Sequence, residues 1–102
     1  GSGFSTDKFS FRGFLPLKSG QRERELRTAS ESEETTIFFE SPYRLLKTLQ
    51  ACSSIMPERQ LCIARELTKK FEEFRRGTAA ELLAHYEMHQ VKGEIVLIVS
   101  GA

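Results

Sequence analysis

Ile95–Val99 reads IVLIV, five apolar residues in succession near the end of the chain. A strand with one wet face alternates apolar and polar residues, because successive side chains point to opposite sides. This segment has no alternation, so it is expected to be a strand covered on both faces and central in its sheet. Helices on both sides of a mixed sheet would provide that cover. The run is also far too short to cross a bilayer, which takes about 20 apolar residues.

Lys92-Gly93 marks the turn before this strand. Upstream, Thr78-Ala79-Ala80-Glu81 has the capping-box pattern, and the spacing of Ala79, Leu82, Leu83 and Tyr86 predicts the buried stripe of a helix. Leu61–Leu67 and Phe71–Arg76 predict two strands, turning back through Lys69-Lys70. Leu45, Leu46, Leu49 and Cys52 recur at i, i+1, i+4 and i+7, the apolar face of another helix. Its start is expected at Ser41-Pro42, an N-cap hydroxyl followed by proline at the first helical position, and Pro57 lies just beyond its end. Thr35–Phe39 (TTIFF) is β-branched and aromatic, hence a strand.

Gly20–Ser32 is polar almost throughout, with only Leu26 and Ala29 at helical spacing. It predicts a thin surface helix, followed by an acidic loop around Glu31–Glu34. Phe9–Phe14 (FSFRGF) sets Phe9, Phe11 and Gly13 against Ser10, Arg12 and Phe14, a strand that ends at Leu15-Pro16-Leu17. The expected order is β-α-β-α-β-β-α-β: one α/β domain over residues 4–102, a five-stranded mixed sheet with helices packed on its faces. Gly1-Ser2-Gly3 is set aside as a tag remnant.

One hundred and two residues suit one modest core, and 39% hydrophobic with 28% charged residues is the composition of a globular protein. Gly1–Gly20 lacks a basic start followed by an apolar stretch, so no signal peptide is expected. A net charge of +1 excludes a nucleic-acid partner held by bulk charge alone and leaves local patches open. Cys52 and Cys62 form no CxxC pair and have no third cysteine beside them. Two reduced, half-buried thiols in a cytoplasmic protein are expected, rather than a disulfide framework or zinc knuckle.

The glycines never fall into GxGxxG or GxxxxGK[ST] spacing, and no serine sits in a GxSxG elbow. His85 and His89 stand four apart on one helix face, a zinc-like spacing, but no third histidine exists and a solvated face is the better reading. The densest charge lies in Ala64–Gly77 (ARELTKKFEEFRRG), with five basic and three acidic residues among fourteen. A solvated hairpin is the plain interpretation of such a run. Yet Glu40, Ser41, Arg44, Arg65, Glu66, Lys69 and Lys70 all fall just past the carboxyl ends of two expected strands, where open α/β sheets collect ligands. Ser41 has a structural alternative as a helix cap, Arg44 as a partner of Glu40, and Arg65-Glu66 as a salt bridge.

FFESPYRLLKTL (Phe38–Leu49), ARELTKKFEEFRRGT (Ala64–Thr78) and KGEIVLIVSG (Lys92–Gly101), with SGFSTDKFSFRGFLP (Ser2–Pro16) ahead of them, resemble one family. They are similar to the C-terminal half of the ribosomal RNA small subunit methyltransferase I family, within the tetrapyrrole (corrin/porphyrin) methylase superfamily. The resemblance implies transfer of a methyl group from S-adenosylmethionine to a ribose 2′-hydroxyl of 16S rRNA. It also implies a homodimer and a cofactor cleft shared with a glycine-rich N-terminal domain. On that resemblance the cofactor meets Glu40-Ser41, Leu67-Thr68 and Gly93-Glu94, in large part through backbone groups. Arg44, Lys69 and Lys70 are the expected RNA-backbone contacts, and Arg65-Glu66 the cleft floor. Lys69 is the only candidate for a proton acceptor, and the catalytic base is otherwise unassigned. Tyr43 departs from the histidine often found after ESP in related sequences, which argues against a proton-transfer role there. Two alternatives stay open: half of a tetrapyrrole methyltransferase, whose acidic ring would suit the same basic edge, or a dimerisation or RNA-binding module without chemistry.

Overall fold

The computed structural model describes residues 9–67 and 70–101, the side chains of residues 66, 67 and 70–72 excepted. Strand β1 (Phe9–Phe14) is followed by α1 (Ser19–Glu31), β2 (Thr35–Glu40), α2 (Leu45–Ile55), β3 (Leu61–Leu67), β4 (Lys70–Gly77), α3 (Ala79–Met88) and β5 (Ile95–Val99). The strands form one five-stranded sheet in the order β1-β2-β5-β3-β4. The apolar strand β5 is therefore central, and all five of its residues are buried. It runs antiparallel to both β2 and β3, while β1 pairs parallel to β2 and β4 antiparallel to β3. The result is a single α/β domain with a mixed sheet, in the element order expected from the sequence.

The cover of β5 differs from expectation. Ile95, Leu97 and Val99 join Phe38, Leu61 and Ile63 in one core cluster with Leu26 and Ala29 of α1, Leu45, Leu49 and Cys52 of α2, and Ala79, Leu82 and Tyr86 of α3. All three helices thus sit on one side of the sheet. Val96 and Ile98 face the other side, in a cluster of strand residues alone: Cys62 and Ala64, with Ile37 and Phe39 packed against them. The uninterrupted apolar run arises because the second side is lined by apolar neighbours on adjacent strands, not by helices. Among the described residues no helix is long and apolar enough to cross a membrane.

Local departures have identifiable causes. A bulge between Phe11 and Gly13, with Gly13 at φ 77°, breaks the expected alternation of β1. Phe14 consequently shares a face with Phe11 instead of opposing it, and Leu15 turns into the core. Helix α1 buries Arg22 along with Leu26 and Ala29, its guanidinium donating to the Leu17 carbonyl at 3.4 Å. The aliphatic stem of an arginine can fill such an apolar position. Helix α2 begins at Leu45 rather than Ser41, because residues 41–44 form a separate turn first. Both cysteines are fully buried rather than half-buried, and both are free. The α3 capping box is present as expected: the Glu81 N–H donates to Thr78 Oγ1 and the Thr78 N–H to Glu81 Oε1.

Candidate functional site

Because β2 and β3 are both antiparallel to β5, they are parallel to each other and end on the same border of the sheet. The segment entering β5 starts at that border. Glu40 pairs with Ile95 on one flank of β5 and Arg65 pairs with Ile95 on the other. Strands lie about 4.8 Å apart, so the two positions stand roughly 10 Å from each other with one residue between them. Glu40, Ser41, Arg44, Arg65, Gly93 and Glu94 are thereby brought to one border. Leu67 pairs there with Lys70. Thr68 and Lys69 lie outside the described residues, as do the side chains of Glu66, Leu67 and Lys70.

Glu40 organises one flank. It is only 3% exposed, although it is a carboxylate. Its Oε2 accepts from the Thr48 hydroxyl of α2, and its Oε1 accepts from the Ser41 N–H at 2.7 Å and lies 3.5 Å from Arg44 Nε. A buried charge persists only when its oxygens are met in this way. The carboxylate is therefore committed to holding the turn, and what residue 40 can offer a ligand is its backbone.

Ser41 does not cap α2. Its hydroxyl accepts from the Tyr43 N–H at 3.2 Å, and its carbonyl accepts from the Arg44 N–H at 3.0 Å, closing the turn that aims residues 41–44 along the border. Arg44 is the α2 N-cap residue and makes no side-chain cap bond. Its ion pair with Glu40 is the structural alternative raised for it above, and that pairing fixes the guanidinium at the border.

On the other flank, Arg65 pairs with Glu73 across β3 and β4, Nη2 to Oε2 at 3.5 Å. The two are direct cross-strand neighbours and so share a face of the sheet; the Arg65-Glu66 salt bridge raised from the sequence falls outside the described residues, because the Glu66 side chain does. Arg65 Nε and Tyr86 Oη are buried without a hydrogen-bond partner among the described residues. Burial pushes the Tyr86 phenol above its ordinary pKa, and the Glu73 carboxylate adds to the shift.

Beside the β2 flank, on the helix side, lies a cleft of about 680 Å³. Pro42, Tyr43, Leu45 and Leu46 form one wall; Tyr86, Gln90, Val91, Lys92 and Gly93 form the other. Tyr43 stands at its rim almost wholly in solvent, and Gly93 has φ 86°, a backbone conformation open to glycine. A smaller cavity of about 160 Å³ sits beside the same border on the helix-free side, between Phe14, Phe39, Glu40, Glu94 and Ile95. The Tyr86 and Val91 wall and Phe14 were absent from the sequence reading. Tyr86 was assigned only to a core stripe, and the bulge that turns Phe14 outward is visible in sequence only as the Gly13 before it.

The histidines behave as a solvated pair. His85 and His89 stack at 4.6 Å, and partial desolvation, then Arg75 and His89, hold the His85 pKa below its ordinary value. No group of three or more potential metal ligands occurs among the described residues.

No protein-family model matches the chain. Curated proteins do. The chain is 47% identical over 98 residues, 96% of its length, to the ribosomal RNA small subunit methyltransferase I of Erythrobacter litoralis. It is 41% identical to the Bacillus subtilis protein of that name over 101 residues, 99% of the chain, and 43% identical to the Thermotoga maritima protein over 98% of the chain. The chain belongs to the ribosomal RNA small subunit methyltransferase I family. It spans about 35% of the length of the first two relatives and 45% of the third. The ends of FFESPYR and of the ARE that opens ARELTKK, distant in sequence, are brought to one border by the pairing of Glu40 and Arg65 with Ile95.

Proposed function

We propose that this chain is half of an S-adenosylmethionine-dependent methyltransferase that methylates a ribose 2′-hydroxyl of small-subunit ribosomal RNA. The observation that supports this most is the convergence of the β2 end, the β3 end and the segment entering β5 on one border of the sheet, with a cleft between the segments that follow β2 and precede β5, in a chain homologous to the rRNA methyltransferases named above. The cleft's chemistry fits the cofactor: apolar and aromatic walls of Leu45, Leu46, Val91 and Tyr43 for a purine and its ribose, with open backbone at Gly93 for directional hydrogen bonds. Ser41, Leu67, Thr68, Gly93 and Glu94, with the Glu40 backbone, are the positions proposed to flank it. When bound, the cofactor supplies an already activated methyl group on a sulfonium.

The work left to the protein is alignment of an in-line displacement and relief of the hydroxyl proton. Arg44, held by Glu40, and Arg65, held by Glu73, are cations fixed at the border. Together with Lys69 and Lys70 they are proposed to engage RNA phosphates and so seat the ribose. Lys69 is the candidate to receive the hydroxyl proton. The homodimer is part of the same proposal.

The test uses a protein of the relatives' length carrying this chain, small ribosomal subunits and methyl-labelled cofactor. Label recovered in alkali-resistant dinucleotides supports the proposal, since a blocked 2′-hydroxyl cannot cleave its neighbouring phosphodiester; label on a base, or none, refutes it. Lys69→Ala should lower transfer rate or RNA affinity, and no change in either removes Lys69 from both roles.

A further inference from the structure

We propose that Tyr86 is the positioning residue for Arg65: its phenol oxygen accepts from the Arg65 Nε–H while the outer end of the guanidinium holds an RNA phosphate. This rests on the reading above, in which Arg65 is one of the RNA-binding cations, and adds the residue that fixes that cation in place.

Two polar atoms carry it. Arg65 Nε and Tyr86 Oη are both buried with no hydrogen-bond partner among the described residues. An unpaired buried polar group costs stability, so each one in a folded protein calls for a use. The two are complementary, since a guanidinium N–H can only donate and a phenol oxygen can accept. They also face the same side of the sheet. Arg65 is the cross-strand neighbour of Ile95, and Tyr86 of α3 joins Ile95 in the core cluster under the helices. The Glu73 and Arg65 charges both act on the phenol, which puts the three groups in one neighbourhood.

The two ends of the guanidinium are held differently. Nη2 lies 3.5 Å from Glu73 Oε2, well beyond the about 2.7–2.9 Å of a tight charge-assisted bond, and the Arg65 side chain is 26% exposed. The outer end is thus loosely held and open to solvent, and a phosphate can take the place of Glu73 there. Nε is sealed from solvent, out of a phosphate's reach. A bond from Nε would set the plane of the rigid fork and so aim both Nη groups. Tyr86 suits that task. It is only 5% exposed, and burial, then the Glu73 charge, keeps its phenol protonated, so the acceptor brings no negative charge to repel the phosphate.

The test uses a protein of the relatives' length carrying this chain, with binding of small ribosomal subunits and of S-adenosylhomocysteine measured separately. Tyr86 also lines the cleft, and Tyr86→Phe keeps that wall while removing only the oxygen. It should raise the dissociation constant for small subunits about tenfold, as for one hydrogen bond to a charged group, and leave that for S-adenosylhomocysteine unchanged. In an Arg65→Met background the same substitution should have no effect, because the oxygen acts only through the guanidinium. The melting temperature of Tyr86→Phe should not fall, since the hydroxyl has no partner to give up in the free protein. A wild-type protein that binds no small subunits overturns the RNA reading and Tyr86 with it. Additive effects of the two substitutions, subunit binding untouched by Tyr86→Phe, weakened S-adenosylhomocysteine binding or a lowered melting temperature each overturn the Tyr86 assignment and leave the RNA reading standing.

Discussion

The two sides of the sheet are built on different terms. On the helix side, Leu97, Ile63 and Phe38 are sealed under three helices, and even the charged Glu40 is drawn in and satisfied. On the other side, Val96, Ile98, Cys62 and Ala64 form a cluster of strand residues, bordered by phenylalanines that stand in solvent. The difference shows that apolar character along a central strand reports burial but not what does the burying.

The sharpest way to break this comparison is to cut one side chain from each side of β5. Leu97→Ala should cost about 3–4 kcal/mol in urea unfolding, because close-packed helices cannot collapse into the cavity. Ile98→Ala should cost about 2 kcal/mol, since a side without helices relaxes more easily. Equal costs would mean that both sides are packed alike. Next in size, Thr48→Val keeps the shape of a fully buried residue but removes the hydroxyl that serves Glu40. A loss of about 2 kcal/mol is expected from the stranded carboxylate oxygen; a loss below about 0.5 kcal/mol would show that Glu40 is satisfied without it.

The element order was legible because each unit carries its own period and punctuation: IVLIV, the Leu45-Leu49-Cys52 stripe, the Thr78–Glu81 box. The placement of all three helices on one side was not, since periodicity shows which face of a helix is apolar but not which side of a sheet receives it. The bulge was hidden for a related reason. FSFRGF fits regular alternation as well as the observed register, and only pairing against Thr35–Phe39 decides. At the candidate border, strand ends could be read from sequence, so Glu40 and Arg65 were placed near each other. Their partners Thr48 and Glu73 depend on α2 and β4 packing, a tertiary matter.

The two thiols sharpen the comparison further, since Cys52 lies in the helix-side core and Cys62 in the strand-only cluster. Burial, reinforced by the Glu40 charge, pushes Cys52 up to about 12, and burial also raises Cys62. A raised acid is protonated in the folded chain when the unfolded chain has already released its proton. Stability is therefore intact below the ordinary thiol value of 9.0 and falls as pH rises from there toward 12. The steepest slope is about 1.4 kcal/mol per pH unit for one thiol. Urea unfolding between these limits should show that decline, with Cys52→Ala flattening it more than Cys62→Ala. Tyr86, also raised, adds a decline of the same sign at the upper end. A flat profile would mean that neither thiol is desolvated.

The smallest expected effects distinguish the two borders of the Phe14 segment. Gly13 holds φ 77° in the bulge, and a methyl group added there would meet no atom within 4 Å. Any cost of Gly13→Ala is then backbone strain alone, about 1 kcal/mol for a left-handed alanine. Gly20, inside α1, also has open space around it, but a negative φ region suits alanine. Gly20→Ala should stabilise by up to about 0.5–1 kcal/mol through the entropy of the unfolded chain. Opposite signs in paired thermal melts are the expected result. If Gly13→Ala is neutral, the bulge relaxes at no cost and Phe14 is not fixed on its side of the sheet.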